Sequence, residues 1–216
     1  MMRGLCLAVV LLVPGAYPIP IQADEAAAKS LVARVIDRAG GEPRLLKLFR
    51  YRERVLIQET PALPPAPNEK GTRTSTIEVG DRMWIGTNRR EKDKVRILIW
   101  AWSLRILTAP SAKLDTLDET MVDGKAAVGL RVTNVTKDPV DLWFDKSSLR
   151  LAAIDYTDTR HVLSDWTTTA DGHEYARHVT GYRFADAAKK VVRDKQWYQT
   201  DILELTPLDK LPDGLK

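Results

Sequence analysis

The second half of the chain alternates apolar and polar residues in short runs broken by tight turns, and this pattern limits the fold more than any other feature. Leu117 to Val122 leads into Asp123-Gly124, a dipeptide that favours the two-residue turns of β-hairpins. On the return run Ala126, Val128, Leu130 and Val132 recur at every second position, so they share one face of a strand. Pro139 to Asp145 carries Val140, Leu142 and Phe144 on one face and Trp143 on the other. Lys146-Ser147-Ser148 turns the chain into Leu149 to Thr157. Val162 to Thr169 meets Asp171-Gly172, a second hairpin signal, before Glu174 to Phe184. Val191 to Leu205 is the last strand, long enough to bend, and Asp209 to Leu215 is a short tail. Turns this tight join neighbours, so up-and-down antiparallel order is expected.

The first half adds fewer strands and two apolar elements. Asp24 to Ala39 reads as a helix, capped by Asp24 and ended by Gly40-Gly41. Leu31, Val32, Val35, Ile36 and Ala39 form its apolar stripe, which must bury against something, most simply a sheet. From Leu48 to Ile57 the period becomes two. Phe49, Tyr51, Val55 and Ile57 face one way, while Arg50, Arg52 and Arg54 face the other. The three arginines read as a solvated strand face or as a patch for an anionic partner. Pro61 to Pro67 is a proline-rich surface loop. Thr72 to Val79 and Arg82 to Thr87 are strands about a Gly80-Asp81 turn, with Trp84 opposite Met83 and Ile85. Val95 to Leu107 is apolar almost all round. As a helix it spans ~20 Å, short of a bilayer core. It fits a core helix, a lid or an interfacial helix, and its Ile, Val and Trp also allow a strand pair.

The amino terminus points to export. Met1-Met2-Arg3 is followed by an apolar run from Leu5 to Val13, then Pro14-Gly15, and Ile21-Gln22-Ala23 offers a cleavage point before Asp24. That is the layout of a secretory leader. Residues 1–23 are therefore expected to be a signal peptide, and 24–216 a single periplasmic or secreted domain. Cys6, the sole cysteine, lies inside the apolar run, so neither a disulfide nor a lipid anchor is expected. No second long apolar run follows, so no transmembrane segment is expected in the mature chain. The whole chain carries 33 Lys and Arg against 29 Asp and Glu, a net charge of +4. The charges are scattered in both signs, which argues against nucleic acid.

Catalytic constellations are sparse. His173 and His178 stand five residues apart, whereas two zinc ligands on one helical face need a spacing of four. On a strand, an odd spacing sends them to opposite faces. There is no Gly-x-Ser-x-Gly elbow and no phosphate-binding glycine loop. The acidic stretch Asp115, Asp118, Glu119 and Asp123 does not fit a calcium loop. No catalytic residues, cofactors or metal are assigned; an unrecognised enzyme would need Asp165, His161 and His178 to converge. Six tryptophans remain: Trp84, Trp100, Trp102, Trp143, Trp166 and Trp197. They read either as plain core or as the lining of an apolar cavity.

The fold class expected is mostly β with α elements. It is a curled antiparallel sheet or unclosed β-barrel of about nine to ten strands, with an N-terminal helix and an apolar plug or lid. Several phrases resemble the LolA/LolB/LppX-like superfamily of periplasmic lipoprotein carriers. They are Val122 to Leu130, Leu142-Trp143-Phe144-Asp145-Lys146 with Leu149, Gly181-Tyr182-Arg183-Phe184, and Leu208 to Asp213. The likeness covers about residues 48 to 213. It implies a half-barrel covered by helices, with acyl chains in its cavity and Val95 to Leu107 as lid or plug. The expected ligand-binding residues are Trp84, Leu98, Ile99, Trp102, Trp143 and Phe144, all taken to line the interior. The expected ligand is lipid or lipoprotein acyl chains, with an envelope protein as a further partner. Sensor domains such as the N-terminal domain of RseB share the fold, so a filled core serving protein contacts is the alternative.

Overall fold

A computed structural model of the chain describes residues 21–57, 71–90, 94–188 and 190–215. The expected leader lies outside them except for its last three positions, and the Pro61 to Pro67 loop lies outside them entirely. The first helix, α1, runs Ile21–Arg38. It begins three residues earlier than its sequence caps indicated, because Pro20 is the last helix breaker and Asp24 is not needed to start it. Ala28, Leu31 and Val35 are buried along one stripe. The helix ends where Gly40 takes a φ of 90° and the Gly41 N–H returns to the Ile36 carbonyl at 2.9 Å, a turn that favours glycine.

Eleven strands follow among the described residues. They are β1 Leu48–Ile57, β2 Thr72–Glu78, β3 Arg82–Ile85, β4 Asn88–Arg89, β5 Lys113–Val122, β6 Lys125–Thr133, β7 Val140–Asp145, β8 Leu151–Tyr156, β9 Thr159–Thr168, β10 Glu174–Asp186 and β11 Val191–Pro207. The count exceeds the expected nine to ten; the two-residue β4 is too short to leave a periodic signal. Between β4 and β5 lie the helix α2, Lys94–Trp102, and a 3-10 turn at Arg105–Thr108. This settles the open choice for that apolar segment. A helix bonds its own backbone, whereas a strand pair there would need partners from the sheet. The helix stops at Trp102, because Leu104 takes a left-handed φ of 62°.

The strands form one antiparallel sheet in the order β4-β3-β2-β1-β11-β10-β9-β8-β7-β6-β5. Most neighbours are hairpin-linked as expected. The exception is the centre, where β1 and β11 pair from Phe49–Pro207 to Ile57–Tyr198. The sheet is thus two meanders zipped together by the first and last strands. Its edges, β4 and β5, are neighbours in sequence, and the barrel is left unclosed between them. The concave face buries one large cluster drawn from α1, α2 and the sheet, with Phe49, Met83, Ile106, Leu130, Leu142 and Phe144 fully enclosed. Among the described residues, no helix is long and apolar enough to cross a membrane.

Candidate functional site

The concave face is the candidate site, and its lining is graded from one end to the other. At the end where β1 begins, aromatic rings pack edge-on. Trp102 meets Phe49 at 5.8 Å between centroids and Tyr175 at 6.5 Å, both T-shaped. The α2 helix brings Trp102 there, with Ile99 and Ala101 also buried. Its other apolar residues, Val95, Ile97, Leu98 and Trp100, are half-buried against the same core. Trp100 covers the β2–β3 turn, where a Cβ on Gly80 would stand 3.3 Å from the indole.

The opposite end of the same face is polar. Glu53 is buried and accepts from Arg73 Nε at 2.6 Å. Burial pushes its carboxyl up, against the pull of Arg73. Tyr51 lies beside it, and burial together with the Glu53 charge raises its hydroxyl well above the usual range. Nearby, His161 bridges Tyr198 at 2.5 Å and Thr159 at 2.9 Å. Thr159 donates to the Tyr156 carbonyl, so its oxygen must accept from Nε2–H of His161. Nδ1 then accepts from the Tyr198 hydroxyl. Burial holds His161 down at about 4 and Tyr198 above its usual range, so both are neutral near pH 7. Every proton in this chain has a place, which marks it as a fixed structural strut.

A small cleft opens beside the aromatic end. Val35, Arg38 and Ala39 of α1 line it, with Arg44 to Leu46, Trp102 to Leu104, Leu149 to Leu151, Trp166 and Glu174. Its volume is about 30 Å³, enough for about one or two waters. Glu174 accepts from Arg38 at 2.5 and 3.1 Å and from Arg150 at 2.7 and 3.0 Å. Arg38 also donates to the Ser148 carbonyl, and Arg44 to the Asp171 carbonyl. The Trp102 indole N–H is buried and has no hydrogen-bond partner.

Of the six residues expected to line the interior, Ile99, Trp102 and Phe144 are buried in the concave core, and Leu98 packs half-buried against it. Trp84 and Trp143 are on the other face. Met83 takes the interior position on β3, opposite Ile77, and Trp84 lies beneath Arg82, whose guanidinium is 5.4 Å from the ring centroid. Trp143 is 7% exposed in a separate convex cluster with Val122, Ala127 and Ala153. Strand alternation sends Trp143 and Phe144 apart, and the register shift beside them in the β7–β8 pairing does not undo it. A readable signal was present: Gly129 stands directly across from Trp143, and a Cβ there would come within 2.6 Å of the indole.

The three residues considered for catalysis fall into separate groups. Asp165 pairs with Arg177 at the surface, and His178 bonds Asp201 and Thr180. His161 belongs to the strut described above and is not a surface histidine. Among the described residues no cluster of three metal-ligating side chains occurs. Residues missed from sequence are Glu53, a charge on an otherwise apolar strand face, and Glu174, whose two arginine partners are 24 and 136 residues away.

No family model matches the chain, and no curated protein matches it. The solved structures include the superfamily that the sequence resembles. A DUF1329 family protein from Desulfovibrio piger matches with a TM-score of 0.50 at 12% identity, over 88% of this chain and 96% of that one. A putative outer membrane lipoprotein-sorting protein domain from Vibrio parahaemolyticus matches at 0.49 and 9% identity, over 88% and 96%. A LolA superfamily protein from Nitrosomonas europaea matches at 0.47 and 12% identity, over 86% and 95%. At these identities the likeness speaks to the fold alone.

Proposed function

We propose that residues 24–216 form a single-domain, non-enzymatic carrier or chaperone of the periplasm that binds an apolar ligand, lipid or lipoprotein acyl chains, on the concave face. The observation that carries this reading is the unclosed seam. The two sheet edges, β4 and β5, are joined by an apolar helix and not by a ladder. Contacts of an apolar helix are non-directional, so an acyl chain can lie between α2 and the sheet without breaking strand pairing. Each methylene buried there contributes ~0.8 kcal/mol. The leader-like amino terminus and the resemblance to lipoprotein carriers support the compartment and the ligand class.

The test is to purify the chain from an exporting bacterial host and extract it for mass spectrometry of bound lipid. A stoichiometric phospholipid, fatty acid or acylated peptide is expected. A clean extract, with no uptake of an added fluorescent fatty acid, sinks the carrier reading. That result favours an envelope sensor or interaction module, a reading supported by the edge-to-face packing of Phe49, Trp102 and Tyr175, which fills one end of the interior.

A further inference from the structure

The cleft beside α1 holds polar groups that an apolar core does not require. Three guanidinium groups, Arg38, Arg44 and Arg150, share its lining with one carboxylate, Glu174. The cleft is therefore doubly positive, and two of the three cations already share the single acid. Trp102 also lines the cleft, and its indole N–H is a buried donor without an acceptor; such groups are costly to leave unmade. The same residue is part of the concave core, so Trp102 is shared by the cleft and the proposed chain-binding face. We infer that this cleft takes the anionic head of an amphiphile whose chain lies on the concave face, an inference that rests on the carrier reading. The head carries oxygens that accept from the Trp102 N–H and the arginine rim, as a carboxylate or phosphate monoester does. Water would meet the indole donor, but only an anion also answers the charge of the rim.

The experiment uses the full exported chain, stripped of lipid, and displacement of a fluorescent fatty acid by three ligands of equal chain length: dodecanoate, dodecyl phosphate and dodecanol. At least one anion is expected to bind about ten-fold more tightly than the alcohol, the range of a charge-assisted hydrogen bond. Which anion wins separates carboxylate from phosphate. Trp102→Phe keeps a ring in place and removes the donor; Arg150→Gln removes a rim charge at a half-exposed site. Each is expected to shrink the anion preference to under about three-fold, and Arg150→Gln is expected to leave dodecanol affinity unchanged. Should Trp102→Phe fail to fold, Arg150→Gln alone decides. Equal binding of all three heads, or a preference that survives the variants, overturns the head assignment and leaves the carrier reading standing. Failure of all three ligands to bind overturns both.

Discussion

On the concave face, Phe49, Leu130, Leu142, Phe144 and their neighbours pack by area alone. On the convex face, Trp143 donates to Asp155, twelve residues on in sequence, at 2.9 Å, and Arg160 grips the same carboxylate through two bonds of 2.7 and 2.8 Å. The Arg160 guanidinium lies within 6 Å of both the Trp143 and Phe184 centroids. Arg131 and Lys190 close on Asp141 beside them. The aromatic end of the concave face depends on shape and volume, the convex face on directed bonds. A face held by volume can exchange one apolar occupant for another, while a face held by directed bonds keeps the sheet in one form.

The largest effects test whether that division is real. Asp155→Ala leaves Arg160 buried without its partner and is expected to cost about 3–5 kcal/mol; Phe144→Ala opens a cavity and is expected to cost about as much, 3–5 kcal/mol. The conservative variants separate the two. Phe144→Leu should recover most of the loss, whereas Asp155→Asn should not, because the charge is gone. Denaturant unfolding reads all four. Equal recovery on both faces would erase the distinction.

Acid should then act on the polar end of the concave face. The folded His161 titrates at about 4, the unfolded side chain near 6.5. Between those values the unfolded chain binds more protons, so stability is full above about pH 6.5 and falls as pH drops toward 4. A loss on the order of 2–3 kcal/mol is expected across that window, and His161→Gln should flatten the profile. Glu53 opposes it: its raised carboxyl favours the fold at low pH, and that contribution is lost as pH rises through its folded value. Thermal melts in graded buffers measure both. Next, Gly129→Ala drives a methyl toward Trp143 and should cost about 1–3 kcal/mol. Much less should be lost when Trp143 is already Ala, a coupling that a double-mutant cycle reads. Least of all, Lys146→Ala breaks an exposed pair with Glu119 and should cost less than about 1 kcal/mol.

Local structure was largely readable. Strand β1 spans Leu48–Ile57 as its alternation indicated, and the Asp123-Gly124 and Asp171-Gly172 signals fall between β5 and β6 and between β9 and β10. The stripe of α1 was visible, though its start was not, since a capping residue is permissive and a proline is not. What failed was nonlocal. Pairing of β1 with β11 joins segments about 150 residues apart, and no turn residue records it. Alternation separates Trp84 from Met83 and Trp143 from Phe144, but it does not say which of each pair is inside. Large apolar side chains were assumed to point inward, and both tryptophans instead lie beneath arginines on the outside. In the cleft, Arg38, Arg150 and Glu174 come from three distant elements, so their meeting had no sequence signature.

The β1–β11 pairing also sets an order of assembly. A chain made or threaded amino end first presents β1 to β4 early, but β1 has only β2 beside it until residues 198–207 arrive. Closing that ladder waits on nearly the whole polypeptide, and contacts of such long sequence separation form slowly. The half-made chain carries the four-strand meander β1 to β4 without the β11 partner of β1. The ladder at the centre of the sheet therefore depends on the strand that comes last in chain order, so the middle of the sheet cannot close before its end is made.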